Sequence, residues 1–185
     1  MPNKLFVISG ASGVGKSTVL TKVMAARPDL RFSVSATTRD IRDGEVDGES
    51  YYFVSKDKFL DMIEKNEFLE YDAHMDNYYG TPKGQLEDKL QKGSVILDIE
   101  PNGAFNVRKE KADAVLIFIA PPSLEELERR LRGRGDTSEE QIQIRQARVA
   151  WEMEQSKQYD YVVVNDTVER CAAEILEIIA REANG

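Results

Sequence analysis

Four short apolar runs restrict what this chain can fold into more than any other feature: KLFVIS (4–9), VILDIE (95–100), AVLIFIA (114–120) and YVVVN (161–165). They are rich in β-branched residues and do not alternate as a strand with one wet face would. Each precedes a segment with helical spacing: VLTKVMAA, a short piece after residue 100, SLEELERRL, and TVERCAAEILEIIARE at the C-terminus. Strands buried on both faces that alternate with helices form a parallel sheet covered on both sides, so the class is α/β. A length of 185 residues suits one such domain, 1–185.

Two regions interrupt the pattern. Residues 33–80 read as short alternating strands (FSVSATT, YYFV, FLEYDAHM) around one helix, KDKFLDMIEKN, which predicts a small mixed, partly antiparallel insertion over the main sheet. GRGDTSEE (133–140) is glycine-flanked, charged and without apolar anchors, which predicts a mobile lid ahead of the helical stretch EQIQIRQARVAWEMEQSK. The core is then 1–32 and 81–185. Ser123 with Glu126 forms a capping box, and Thr81-Pro82 offers an N-cap followed by a proline at the first helical position.

Composition narrows the partners. The formal charge is -8, so the bulk field attracts neither a nucleic-acid backbone nor an anionic membrane, and any bound anion must be met by local cations. No apolar run approaches the roughly 20 residues of a membrane helix, and MPNKLFVIS lacks signal-peptide architecture. We expect a cytoplasmic protein without disulfides; its oligomeric state is left open. The one cysteine, Cys171, falls in a helical stripe with Val168, Ala172, Ile175 and Ile179, as a packed small residue does. His74, the only histidine, has no second metal-type ligand at helical spacing and reads as structural.

Gly10-Ala-Ser-Gly-Val-Gly15-Lys16-Ser17 matches G-x-x-x-x-G-K-[ST] between the first predicted strand and a helix. Glycines let backbone N–H groups turn onto phosphate oxygens, and the helix N-terminus adds positive potential. Lys16 reaches the β/γ-phosphates, and the Ser17 hydroxyl suits magnesium. The fold is therefore of the P-loop NTPase type, binding a nucleoside triphosphate with Mg2+. Asp98 is the candidate second acid for the metal shell, with Glu100 two residues on and facing the same way.

A second anion site is legible in the insertion. Arg39 and Arg42, with the phenols of Tyr51 and Tyr79, can clamp a phosphate monoester, because guanidinium forks match phosphate oxygens and tyrosine adds neutral donors. Two anion sites imply transfer between them. No N-K-x-D element of a GTPase is present. Glu70 shares a strand face with Phe68 and Asp72, and a carboxylate can accept from guanine N1–H and N2–H together, a discrimination of roughly 1–3 kcal/mol. Ser35, Thr81 and Glu100 can complete the base edge.

The segments GASGVGKST, FSVSATTR-x-x-R-x-GE-x-DG-x-x-YYF, NEFLEY, NYYGT, LDI, FIAPPS, LRGRG and VVVND follow in the order and spacing of guanylate kinases, so the chain resembles that family from about residue 4 to its C-terminal helix. The resemblance implies transfer of the γ-phosphoryl group of ATP to GMP. It implies that Gly10, Ala11, Ser12, Gly13, Val14, Gly15, Lys16, Ser17, Thr18 and Asn165 contact ATP, with Asp166 beside the adenine. Ser35, Glu70, Thr81 and Glu100 would hold guanine, and Arg39, Arg42, Tyr51 and Tyr79 the GMP phosphate, with Asp98 in the acceptor set as well as the metal's. Lys16, Arg39, Arg134 and Arg145 would surround the transferring phosphoryl group. Arg148, three residues after Arg145, fits a solvated face that pairs with nearby acids. Two departures stand out: Glu100-Pro101-Asn102-Gly103 where the family usually has aspartate, glutamine and glycine, and Asp76 where it has glycine. Relatives of other classes are a phosphopeptide-binding scaffold domain and a kinase for a ribose bisphosphate.

Overall fold

The computed structural model describes residues 3–74, 76–123, 125 and 139–184; the side chains of residues 74, 139, 140, 141, 142, 144, 145 and 184 fall outside that description. The expected lid, with Arg134, therefore lies outside the described residues except where Glu139 opens a helix, as do Glu126 of the capping box and the Arg145 and His74 side chains.

Strands β1 (Leu5–Gly10), β2 (Arg31–Phe32), β7 (Val95–Asp98), β8 (Val115–Ala120) and β9 (Tyr161–Val164) form one five-stranded sheet in the order β2-β7-β1-β8-β9. Every pairing in it is parallel, with Leu5 opposite Val95 and Phe6 opposite Val115. β1 and β8 are buried along their whole length, which is why neither run alternates. Flanking the sheet are α1 (Lys16–Ala26), α3 (Lys83–Leu90), α4 (Pro101–Glu110), α5 (Glu139–Gln155) and α6 (Val168–Asn184). α1 packs beside α6, whose Cys171, Ile175 and Ile179 are buried, so Cys171 is a core thiol as its stripe predicts. The chain moves outward from β1 to β2 on one side and later crosses to β8 on the other. The order thus reverses beside β1, and crevices for ligands open at the carboxyl ends there.

A second sheet, order β4-β3-β6-β5, is built from β3 (Ala36–Thr37), β4 (Tyr52–Phe53), β5 (Phe68–His74) and β6 (Asn77–Pro82). It is mixed: β3 runs parallel to β4 and antiparallel to β6, and β5 with β6 makes a hairpin. α2 (Lys56–Glu64), capped by the Ser55 hydroxyl on Lys58 N–H, lays Phe59 against Phe68 and Ala36 in a small apolar cluster separate from the main core.

Three local expectations are corrected. The run FSVSATT is two strands in two sheets, because the chain leaves the parallel sheet after Phe32 and enters the mixed one at Ala36. Pro82 ends β6 opposite Phe68 and is itself the N-cap of α3, while Thr81 gives its hydroxyl to Glu70 and caps nothing. Phe68 and Glu70 do not share a face: a bulge sets Phe68 opposite Pro82 but Glu70 opposite Thr81, so the phenyl ring enters the small cluster while the carboxylate turns the other way. Asp76 takes the left-handed conformation (φ 66°) that the family's glycine would allow, which aspartate tolerates better than most residues.

Candidate active site

The phosphate-loop sequence bridges the end of a central strand, Gly10, and the start of α1. Gly15 is the N-cap, with φ 92°, and a Cβ there would stand 3.2 Å from Asn165 Nδ2; a glycine suits both demands. No side chain caps α1, so its first-turn N–H groups are left for an anion, with Ser17 and Thr18 exposed beside them. The loop is anchored from below. Ala11 N–H donates to Ile119 O at 3.1 Å, Val14 N–H to Ala11 O at 3.0 Å, and Asn165 Nδ2 to Val14 O at 2.8 Å. Asn165 is buried, so its amide shapes the loop from within. Gly13 is a second left-handed residue in the loop, and Ser12 N–H donates to Glu152 on α5 at 2.7 Å.

Beside the loop lies a cavity of about 260 Å3. Its walls bring together Lys16, Ser35, Tyr51, Glu70, Tyr79 and Asp98, which are dispersed over more than 80 positions of sequence, along with Glu100. Lys16 is ion-paired with Asp98. Burial alone would depress the ammonium, but Asp98, with Glu100 behind it, outweighs that and holds it above its usual value. Glu100 is not on the strand face of Asp98, as its spacing suggests: β7 stops at Asp98, and Glu100 is the N-cap of α4, whose first residue is Pro101. The proline is preorganised for that position and ends the strand early. Both acids still reach the cavity, while one Glu100 oxygen accepts from Arg148 at 2.8 Å.

Glu70 is the most perturbed acid of the cavity. It is buried, Thr81 Oγ1 donates to it at 2.6 Å, and its other oxygen fills the space where a Gly103 side chain would stand. Burial, with the Asp72 charge adding to it and the Thr81 hydrogen bond opposing, pushes the carboxyl up to about 7. Thr81 is not a wall of the cavity; it acts on Glu70 from behind. Burial also raises the Tyr51 phenol, with Asp98 contributing, so it stays a neutral donor.

Arg39 and Arg42 are not walls of the cavity. The Arg39 guanidinium grips Glu45 through both terminal nitrogens, at 2.7 and 2.9 Å, and lies over the Tyr51 ring 5.4 Å from its centroid. Tyr51 in turn meets Tyr79 edge to face. Arg42 is exposed and gives its backbone N–H to the same Glu45 carboxylate at 2.8 Å. Hydrogen bonds from these two residues hold Glu45 down at about 2, so it is an anion standing where a phosphate clamp would need one. The reading of single residues did not pick out Glu45, Gly103 or Glu152. Glu45 alone carries a local signal, an acid three residues after Arg42.

The chain matches the guanylate kinase family model over residues 2–182. It belongs to the guanylate kinase family. It is 46% identical over 181 residues to a guanylate kinase of Clostridioides difficile (strain 630), covering 97% of this chain and 88% of that protein. Against a guanylate kinase of Thermus thermophilus it is 47% identical over 183 residues, 98% of this chain and 83% of the relative. The crystal structure of guanylate kinase from Anaplasma phagocytophilum superposes with a TM-score of 0.79 at 35% identity, over 97% of this chain and 86% of that one.

Proposed function

We propose that this chain transfers the γ-phosphoryl group of ATP to GMP, giving ADP and GDP. The observation that carries the reading is one cavity walled both by Lys16 of the phosphate loop and by buried Glu70 of the mixed sheet, so a triphosphate site and a base-reading carboxylate face each other. In this reading Gly10 to Thr18 cradle ATP, and Asn165 keeps the loop in shape. Glu70 and Ser35 read guanine, Thr81 orients Glu70, and Arg39, Arg42, Tyr51 and Tyr79 take the acceptor phosphate, with Glu45 holding Arg39 until GMP arrives. Arg134 and Arg145 are assigned to the transferring phosphoryl group from the family resemblance.

The residues fit a magnesium ion. Ser17 offers a hydroxyl on the first turn of α1, Asp98 a carboxylate beside Lys16, and both are hard oxygen donors of the kind that ion takes. No group of three or more acidic, histidine or cysteine side chains suited to a metal is found among the described residues. When bound, Mg2+, with Ser17 and Asp98 to hold it, would supply positive charge that offsets the negative charge of the triphosphate. The acceptor is already an anion, so the protein needs no general base. Its residues position the two phosphates in line, neutralise their repulsion and keep water out.

No helix among the described residues is long and apolar enough to cross a membrane. A buried free thiol, Cys171, suits the reducing cytoplasm. The deciding experiment is ADP release with GMP, dGMP, AMP, UMP and a ribose bisphosphate as acceptors. Turnover confined to GMP and dGMP is expected. Release with the ribose compound alone would make the chain a sugar-phosphate kinase, and release with none would make it a binding module.

A further inference from the structure

One backbone donor of the phosphate loop is already held by a side chain. Ser12 N–H donates to Glu152 Oε2 at 2.7 Å, and Glu152, on α5, is a carboxylate with only 1% of its surface exposed. Its second oxygen accepts from Arg148 Nε at 2.9 Å. Arg148 Nη2 then reaches Glu100 Oε2 at 2.8 Å, and Glu100 is a wall of the acceptor cavity. A buried carboxylate next to a triphosphate would be unfavourable by itself, since it adds negative charge where anions gather. Arg148 supplies the counter-charge, and does so by bridging two acids that belong to different sites. Loop, helix and cavity wall are thus joined by a contiguous run of charged hydrogen bonds.

The geometry points to Glu152 as a positioning residue that fixes the phosphate loop through Ser12, and to Arg148 as the link that makes ATP and GMP binding mutually reinforcing. This rests on the cavity being the GMP site. Occupation of the cavity immobilises Glu100, and through it Arg148 and Glu152, so the loop has less freedom left to lose when ATP binds. Coupling of this kind is reciprocal: ATP tightens GMP by the same factor.

The test is calorimetric. The affinity of GMP is measured with and without a non-hydrolysable ATP analogue and Mg2+, for the parent chain and for Arg148→Met, Glu152→Gln and Glu152→Ala, with thermal midpoints as a check on folding. The parent is expected to bind GMP about fivefold or more tightly when the analogue is present. Arg148→Met should bring that ratio to about one while each ligand still binds alone. Glu152→Ala should weaken the analogue on the order of tenfold, and Glu152→Gln, which keeps an acceptor for Ser12 N–H, should recover most of it. A merely structural role would lower midpoints without touching the ratio. An Arg148→Met ratio equal to the parent's overturns the link, and a Glu152→Ala chain that is folded and binds the analogue as the parent does overturns the positioning role. If Glu152→Ala does not fold, the Gln and Met variants decide. A parent that binds both ligands without mutual effect refutes the coupling alone, whereas a parent that binds no GMP refutes the acceptor site itself.

Discussion

At the scale of single residues, Glu70 sets a pH dependence. Two adjacent guanine donors need an ionised acceptor, and burial with the Asp72 charge holds this carboxyl near 7 in the free protein. kcat/KM for GMP is therefore expected to fall as pH drops through about 7, with Glu70→Gln as the control whose residual slope reports the GMP phosphate alone. Stability moves the opposite way. Because the folded value lies above the unfolded one, the folded state holds the proton longer; its advantage is complete below about pH 4.5 and is lost as pH rises through about 7, roughly 3 kcal/mol in all. Thermal midpoints from pH 5 to 8 should thus decline more in the parent than in Glu70→Gln. Arg39 gives a second expectation. Its fork is already matched to a carboxylate, so a phosphate need only replace Glu45 in a preformed geometry. Arg39→Ala should raise KM for GMP on the order of tenfold or more and leave KM for ATP nearly unchanged; equal changes in both would remove Arg39 from the acceptor site.

At the scale of elements, two packing contacts separate stability from binding. Gly103 lies in the first turn of α4, and a Cβ there would stand 2.7 Å from Glu70 Oε2 and 3.2 Å from Ile99 Cδ1. Alanine is otherwise the better helix residue by about 1 kcal/mol. Gly103→Ala should therefore leave the thermal midpoint close to that of the parent while displacing Glu70 and weakening GMP several-fold, read by calorimetry. In the mixed sheet, Phe59 of α2 stacks on Phe68 at 4.3 Å between ring centroids and is fully buried in a cluster of its own. Phe59→Ala should cost about 3–5 kcal/mol locally. Hydrogen exchange would show this as faster opening of β3 to β6, with β1, β7 and β8 as protected as before; uniform loss across both sheets would mean that the two clusters unfold together.

At the scale of the whole molecule, the phosphate loop follows β1, beside which the strand order reverses, and residues of the mixed sheet share the walls of the cavity next to it. Neither sheet alone makes the cavity: Asp98 ends β7 and Lys16 opens α1 beside the parallel sheet, Glu70 and Tyr79 lie on β5 and β6 of the mixed sheet with Tyr51 just ahead of β4, and Glu100 caps α4.

The sequence by itself determined the α/β class, the phosphate loop and the helix of the insertion. These are written in patterns within a few turns or strands of the chain: unbroken apolar runs, glycines before a lysine, a helical stretch between short alternating strands. It also named most of the residues that wall the cavity, because their types suit phosphate and guanine. Only the tertiary structure decided how they are arranged. The bulge that turns Glu70 away from Phe68 is a matter of register between strands, invisible to the alternation of one strand. The burial that raises Glu70 depends on Gly103, from a different element. Glu152 and Ser12 are 140 positions apart, and Arg148 and Glu100 are 48, so no local pattern signals that α5 grips the phosphate loop. Local propensity acts over neighbours in the chain, whereas desolvation and charge act over neighbours in space; the fold supplies the second kind.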